Sequence, residues 1–206
     1  KNAARYGLKL EGSVSVDHEA MMARKEKIVT GLVKGIDDLF EFHNVSKFMG
    51  RGKLKGNKEL IIEKADDSIE EIKAENIIIA TGSRPLNIPA FPYDGEYVLS
   101  SNDMVMLKEI PKSMLIIGMG VIGCEFAFLM SMLGCKVTMV ELLEHALPLE
   151  DVDVSKTIER ELKKNKVKFH LGRKVNVVDV HKGEGIKAEL DDGKTIEAEK
   201  ALVAIG

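Results

Sequence analysis

With 206 residues and 45% hydrophobic content, the chain can build one large domain or two small ones around a buried core. Thirty Lys and Arg stand against 33 Asp and Glu, a net charge of -3, so no overall basic field draws in nucleic acid or an anionic membrane. The longest apolar runs, such as 77–80 and 114–117, fall far short of the roughly 20 residues that a membrane-spanning helix needs.

The chain opens on Lys1, without the apolar stretch of a secretory signal, as an internal piece or a processed product would. From Ser15 to Asn44, apolar residues including Val29, Leu32, Val33, Ile36 and Phe40 recur at three- and four-residue spacing. The spacing predicts one long helix, N-capped by Asp17, whose apolar face packs in a core or against a subunit. Short strands broken by Gly50, Gly52, Gly56 and Asn57 follow, and Ile77-Ile78-Ile79 closes them. That pattern predicts a small β-meander leading into a buried strand. Ala80-Thr81-Gly82-Ser83 comes next, and Pro85, Pro89 and Pro92 punctuate a linker, placing a domain boundary between residues 85 and 112.

A second region begins with a strand over 113–117 and passes through a Gly-rich turn into an apolar helix over 122–133 and a strand over 136–141. A helix over 153–165 and strands over 167–170, 174–180, 186–190 and 195–198 follow, with Asp191-Asp192-Gly193-Lys194 as a hairpin turn. Leu202 to Gly206 reads as another buried strand. Residues 15–82 thus repeat the order of residues 113–206, helix then meander then apolar strand, without the Gly-rich opening.

Gly118-Met119-Gly120-Val121-Ile122-Gly123 is a G-x-G-x-x-G between a predicted strand and a predicted helix, and Glu141 ends the next strand 18 residues beyond Gly123. That context is the dinucleotide fingerprint. Gly118 permits the tight turn, Gly120 lets the backbone approach a pyrophosphate, and Gly123 lets the helix pack closely on the sheet. The helix start then offers its N–H groups and positive dipole end to phosphates. Without a ligand, the same glycines would make only a tight turn.

Glu141 can accept both hydroxyls of an adenine ribose, which favours NAD. A 2′-phosphate at ~4 Å from it would be repelled by about 4 kcal/mol per pair of unit charges at an effective dielectric of ~20. Arg173 and Lys174 could soften that penalty if they fold nearby, and a solvated strand-end Glu is the plainer alternative. Glu125 falls in the first turn of the apolar helix; if buried, it needs a cationic partner that the local sequence does not supply. The two cysteines, Cys124 and Cys135, fit neither a disulfide framework nor zinc spacing, which points to a reducing compartment and to inert packing. The five histidines have no metal-ligand spacing, so no metal is expected.

Ala80-Thr81-Gly82-Ser83, the 118–123 turn with Glu125, Leu133 to Glu141, and Ala204-Ile205-Gly206 together resemble the flavoprotein disulfide reductase family. The resemblance runs along nearly the whole chain, including Lys1 to Tyr6, Gly50 to Lys53 and Val98 to Ser101. It implies an α/β fold of Rossmann-like FAD/NAD(P)-binding type with β-meanders: residues 1–112 as part of an FAD-binding domain, and 113–206 as an NAD-binding domain. By that resemblance Gly52, Thr81, Gly82 and Ser83 belong to the FAD side. Gly118, Met119, Gly120, Val121, Ile122 and Gly123 would hold the NAD pyrophosphate, Glu141 the ribose, Val175 the adenine surroundings and Gly206 the nicotinamide end. Glu125 would lie near the flavin–nicotinamide contact, paired with a lysine that follows the redox cysteines.

The likeness is greatest to family members that oxidise protein-bound dihydrolipoyl groups. It therefore implies a homodimer, a lipoyl domain of a 2-oxoacid dehydrogenase or glycine cleavage complex as partner, and a cytoplasmic or mitochondrial matrix location. A related flavin-dependent reductase or transhydrogenase, and a non-catalytic nucleotide-binding module, are the alternatives. The family's N-terminal FAD fingerprint, Cys-x4-Cys, second FAD motif and His-Glu pair do not occur between Lys1 and Gly206, so the sequence reads as an internal fragment that carries no catalytic residue of its own and does not retain FAD alone.

Overall fold

The computed structural model describes residue 12 and residues 14–205. They form two compact units, one comprising 19–83 and the other 84–205 with residues 12 and 14–18. The Lys1 to Tyr6 segment and Gly206 lie outside the described residues.

Helix α1 (His18–Phe42), in the 19–83 unit from its second residue on, forms where its spacing predicts but is shorter at both ends than the expected 15–44, and none of its residues is buried. Val29, Leu32, Val33 and Ile36 remain about half exposed, so the expected packing face covers no core within the described residues. Strands β1 (Arg51–Leu54), β2 (Glu59–Glu63) and β3 (Ile69–Lys73) make the expected antiparallel meander. Four cross-strand pairs, Lys53–Glu63, Lys55–Glu71, Lys64–Glu70 and Lys73–Glu59, line it.

The buried strand expected at Ile77 to Ile79 does not form; Ile78 is 92% exposed and Ile79 70%. A parallel-type strand exists only through ladder hydrogen bonds to at least one neighbouring strand. Among the described residues no strand pairs with this segment.

The second unit is three layers deep. Its centre is a five-stranded, all-parallel sheet: β4 (Val98–Leu99), β5 (Ser113–Ile117), β6 (Lys136–Val140), β7 (Lys168–His170) and β11 (Lys200–Val203), in the order β4-β11-β5-β6-β7. Alternation along each strand sorts its apolar side chains onto two faces. Met114, Ile116, Met139 and Leu202 point toward helices α3 (Val121–Met132) and α4 (Val152–Lys164) and pack with Ala127, Met130 and Leu162. Leu115, Ile117, Ala201 and Val203 face a second antiparallel meander, β8 (Val175–His181), β9 (Gly185–Leu190) and β10 (Thr195–Ala198), and pack with Val178, Ile186 and Leu190. The four-residue helix α2 (Ser101–Met104) opens on a Ser100–Asp103 capping box.

Segment 84–112 packs with the second unit, and its β4 pairs with β11, so the compact-unit division falls at the start of the Pro-rich stretch. Among the described residues no helix is long and apolar enough to cross a membrane.

Candidate functional site

The chain leaves β5 toward β6 on one side, and β11 returns on the other, so the strand order reverses between β5 and β11. In open α/β sheets a ligand crevice forms outside the carboxyl ends of the strands at such a point. A cavity of about 710 Å³ opens there, walled by the turns after β5, β6 and β11 and by the start of β8. A somewhat larger cleft of about 800 Å³ lies at the opposite, amino end, around Ser113 and Lys200. That cleft mixes lysines and glutamates and meets no helix N-terminus; the glycine turn faces the first cavity.

The three motif glycines are held for three different reasons. Gly118 has φ +101°, and a Cβ there would stand 2.5 Å from the Ala204 carbonyl oxygen. A Cβ on Gly123 would collide with the Gly118 carbonyl oxygen, which fixes how closely α3 approaches the turn. A Cβ on Gly120 would meet nothing within 4 Å. The Gly120 backbone therefore borders open space, in the cavity. Gly120 is also the N-cap of α3, with no side chain capping it, so the first N–H groups of the helix face outward without a protein cap.

Glu141 is 8% exposed and lines the same cavity. Each carboxylate oxygen accepts one backbone hydrogen bond, Oε2 from the Met119 N–H at 2.7 Å and Oε1 from the Leu143 N–H at 2.9 Å. The carboxylate is thereby oriented, and each oxygen keeps acceptor capacity for a further donor. This geometry also engages the Met119 amide inside the protein, while the Met119 side chain is fully buried beneath α3.

The remaining motif residues separate. Val121 lines the cavity; Ile122 is about half exposed outside it. Glu125 is exposed and sits one residue beyond the first turn of α3, which contains no acidic residue, so the expected first-turn placement is corrected. No ion pair to Glu125 is found among the described residues, and exposure removes the need for one. Val175 is buried at the cavity wall, and Ile205 lines it beside the position of Gly206. Gly52 and Thr81 to Ser83 lie in the other unit on exposed backbone, with Gly82 at φ +74°.

Two walls escape a sequence reading. Ile88, Ala90 and Phe91 come from the Pro-rich stretch, and Leu147, Pro148 and Leu149 from the turn after β6. Apolar residues set between prolines were the available signal for the first. Arg173 and Lys174 do fold beside Glu141: both line the cavity, and the Arg173 N–H donates to the Glu141 carbonyl at 2.9 Å. The Arg173 guanidinium is engaged by the β9–β10 turn, 3.5 Å from Asp192 and 4.0 Å from Asp191. The Asp192 carboxyl is held below its ordinary range chiefly by hydrogen bonds from Lys194, with Arg173 adding attraction.

Cys124 lies under the turn, its Sγ 3.4 Å from the Met119 carbonyl oxygen. Burial, reinforced by the negative charges of Glu141 and Glu159, pushes its thiol up to about 12; burial does the same to Cys135. Neither thiol ionises near neutral pH, so neither is a nucleophile there. Among the described residues no group of His, Cys, Asp and Glu is arranged to hold a metal ion.

The sequence matches the family described as pyridine nucleotide-disulphide oxidoreductase across residues 6–206. The chain belongs to that family. It is 36% identical to a dihydrolipoyl dehydrogenase of Bacillus subtilis over 208 aligned residues, covering 100% of this chain and 45% of that protein. It is 38% identical to a leghemoglobin reductase of Vigna unguiculata, covering 98% of this chain and 39% of that protein. Among solved structures it superposes on LpdA from Mycobacterium tuberculosis with a TM-score of 0.87 at 27% identity, over 100% of this chain and 45% of that one. The HOCl-induced flavoprotein disulfide reductase RclA of Escherichia coli follows at 0.76 and 28%, over 90% of this chain and 42% of that one. The chain thus spans less than half the length of these relatives. As in other pyridine nucleotide-disulphide oxidoreductases, the fold is an α/β nucleotide-binding fold, with its parallel sheet between helices and a meander.

Proposed function

We propose that the cavity at the carboxyl end of the parallel sheet is the NAD seat of an NAD-dependent flavoprotein oxidoreductase of the dihydrolipoyl dehydrogenase type. Members of the family use FAD and NAD(P). The observation that carries the reading is the open space at Gly120, at the uncapped start of α3, with the oriented Glu141 carboxylate in the same cavity. A pyrophosphate fits the first and an adenine ribose the second.

Residues of this chain hold and orient. The α3 amides, with Gly120 and Val121, receive the diphosphate. Glu141 accepts the ribose hydroxyls, Val175 walls the adenine, and Ile205 and Gly206 border the nicotinamide end. Gly52, Thr81, Gly82 and Ser83 contribute to the FAD side, within residues 1–112, and Glu125 faces the flavin–nicotinamide contact. When bound, FAD relays electrons between a dithiol and NAD, the chemistry being the cofactors' own. The overall change is dihydrolipoyl group plus NAD⁺ to lipoyl group plus NADH and H⁺. The dithiol is oxidised to a disulfide and the dinucleotide takes two electrons and one proton. The dihydrolipoyl group arrives on a lipoyl domain of a 2-oxoacid dehydrogenase or glycine cleavage complex, and the working enzyme is a homodimer in the cytoplasm or mitochondrial matrix.

Likeness to a leghemoglobin reductase and to RclA favours a second reading, an NAD(P)H-driven reductase with another electron acceptor. In the intact protein that carries this chain, NAD-linked oxidation of dihydrolipoamide is expected, and Glu141→Ala should weaken NADH binding by about ten- to a hundredfold, as loss of hydrogen bonds to a charged group does. NADH binding without dihydrolipoamide oxidation would transfer the case to the second reading. Unchanged NADH binding in Glu141→Ala would remove the ribose role.

A further inference from the structure

The cavity lining carries four charged side chains, the carboxylates Glu141 and Glu150 and the cations Arg173 and Lys174. That composition alone is neutral and would tolerate an additional anionic group on the ribose. The β9–β10 turn changes the balance. Asp191 and Asp192 bring two carboxylates to the Arg173 guanidinium, and Lys194 binds Asp192 at 3.0 Å, so Arg173, Lys194 and the two aspartates close a locally neutral cluster. Of the charged residues in the lining that leaves Glu141, Glu150 and Lys174, a net single negative charge.

The turn is built to stay in place. Gly193 adopts φ +78°, the Lys194 N–H donates to Asp192 Oδ1 at 3.1 Å, and the Asp191 N–H donates to the Lys174 carbonyl at 2.9 Å. That last bond ties the turn to the residue next to Arg173. A guanidinium is a preferred partner for a phosphate because its fork matches two oxygens, so an unengaged arginine here would recruit a 2′-phosphate.

We propose that Asp191 and Asp192 are specificity-determining residues: by engaging Arg173 they withhold the cavity's arginine from a ribose 2′-phosphate and keep the site selective for a dinucleotide with a free 2′-hydroxyl. The inference rests on the dinucleotide reading of the cavity and adds to Glu141 a second, remote source of discrimination. It acts by removing attraction, whereas Glu141 acts by repulsion, so the two are separable by mutation.

The test is the dissociation constants of NADH and NADPH measured by titration calorimetry on the intact protein. Asp191→Asn/Asp192→Asn should tighten NADPH about two- to fivefold, the scale of a partly exposed charge pair, and change NADH less than twofold. Adding Arg173→Gln should cancel the gain. Asp191→Asn alone, which leaves the Asp192 turn hydrogen bond intact, should give a smaller gain in the same direction and serves if the double variant misfolds. An unchanged NADPH constant in both variants while NADH still binds would overturn the proposal, as would a gain that survives Arg173→Gln. If wild type bound neither dinucleotide, the reading of the cavity would fall first and the proposal with it.

Discussion

The described residues contain two antiparallel three-stranded meanders, and they are held in different ways. β8–β10 lies on a parallel sheet and buries Val178, Ile186, Ala188 and Leu190 against it. β1–β3 buries only Ile62, leaves Leu54 57% and Ile69 65% exposed, and instead carries a set of lysine–glutamate pairs across its strands. Similar hydrogen-bond ladders thus coexist with opposite balances of burial and charge. Exposed pairs of this kind contribute little, while apolar area removed from water stabilises by roughly 25 cal/mol per Å². The difference teaches that a meander's ladder is local, whereas its stability comes from what it covers.

The largest expected effect tests that directly. Leu190→Ala, at a residue 1% exposed, should destabilise the second unit by about 2–5 kcal/mol, because a truncated core leucine loses transfer energy and leaves a cavity. Leu54→Ala, in the other meander, should stay within about 0.5 kcal/mol. Urea unfolding followed by circular dichroism of the 206-residue chain checks both; equal losses would mean that β1–β3 buries more than the structure shows.

Glycines sharpen the contrast, because one substitution should take opposite signs. Gly123→Ala forces a Cβ against the Gly118 carbonyl oxygen and should cost about 1–3 kcal/mol by overpacking. Gly31→Ala, on α1 where a Cβ meets nothing within 4 Å, should stabilise that helix by about 0.5–1 kcal/mol through propensity. Gly120→Val should weaken NADH binding, because its side chain enters the open space at the helix start, and should cost about 1 kcal/mol or less as a poorer N-cap. Thermal melts of the three variants, with NADH titration of the third, read out all three effects.

The same residues show how much was legible beforehand. The β5–α3–β6 unit and its glycine roles could be read because each depends on neighbours a few residues away: a turn, a helix start, a strand end. The order of α4 and the second meander was legible for the same reason. The Ile77–Ile79 strand was misjudged because apolar content declares what a segment can bury, while burial requires partners supplied by other strands. The place of Glu141 at the end of β6 was legible from its spacing, but its bond to the Met119 amide was not, since a sequence specifies residue types and leaves the direction of each lone pair to tertiary packing. Ile88 and Phe91 read as linker because Pro marks chain direction changes without saying which wall the turn completes.

Buried thiols give a pH dependence confined to one unit. Cys124 and Cys135 both lie in the second unit, and both are pushed up to about 12 from an ordinary value of 9.0. In the unfolded chain they ionise near 9, while in the folded chain they stay protonated until about 12. The stabilisation is therefore full below pH 9 and lost as the pH rises toward 12, by about 1 kcal/mol per pH unit for each thiol. Between pH 8 and 10.5 the second unit should lose stability, and Cys124→Ala/Cys135→Ala should flatten that slope. Unfolding curves at three pH values measure it; an unchanged slope in the double variant would assign the alkaline loss to other groups.

The smallest effect belongs to the first meander. Its Lys–Glu pairs are solvent-exposed, so raising ionic strength from 0.01 M to 1 M, which shortens the screening length from about 30 Å to about 3 Å, weakens their attraction. Amides of β1–β3 should then exchange with solvent modestly faster, while those of β8–β10, protected by apolar contact with the parallel sheet, should slow or hold steady. Hydrogen exchange by mass spectrometry at the two salt concentrations resolves the two segments within one sample. A uniform response across both meanders would show that charge and burial are shared more evenly between them than the exposed pairs and the buried sheet face imply.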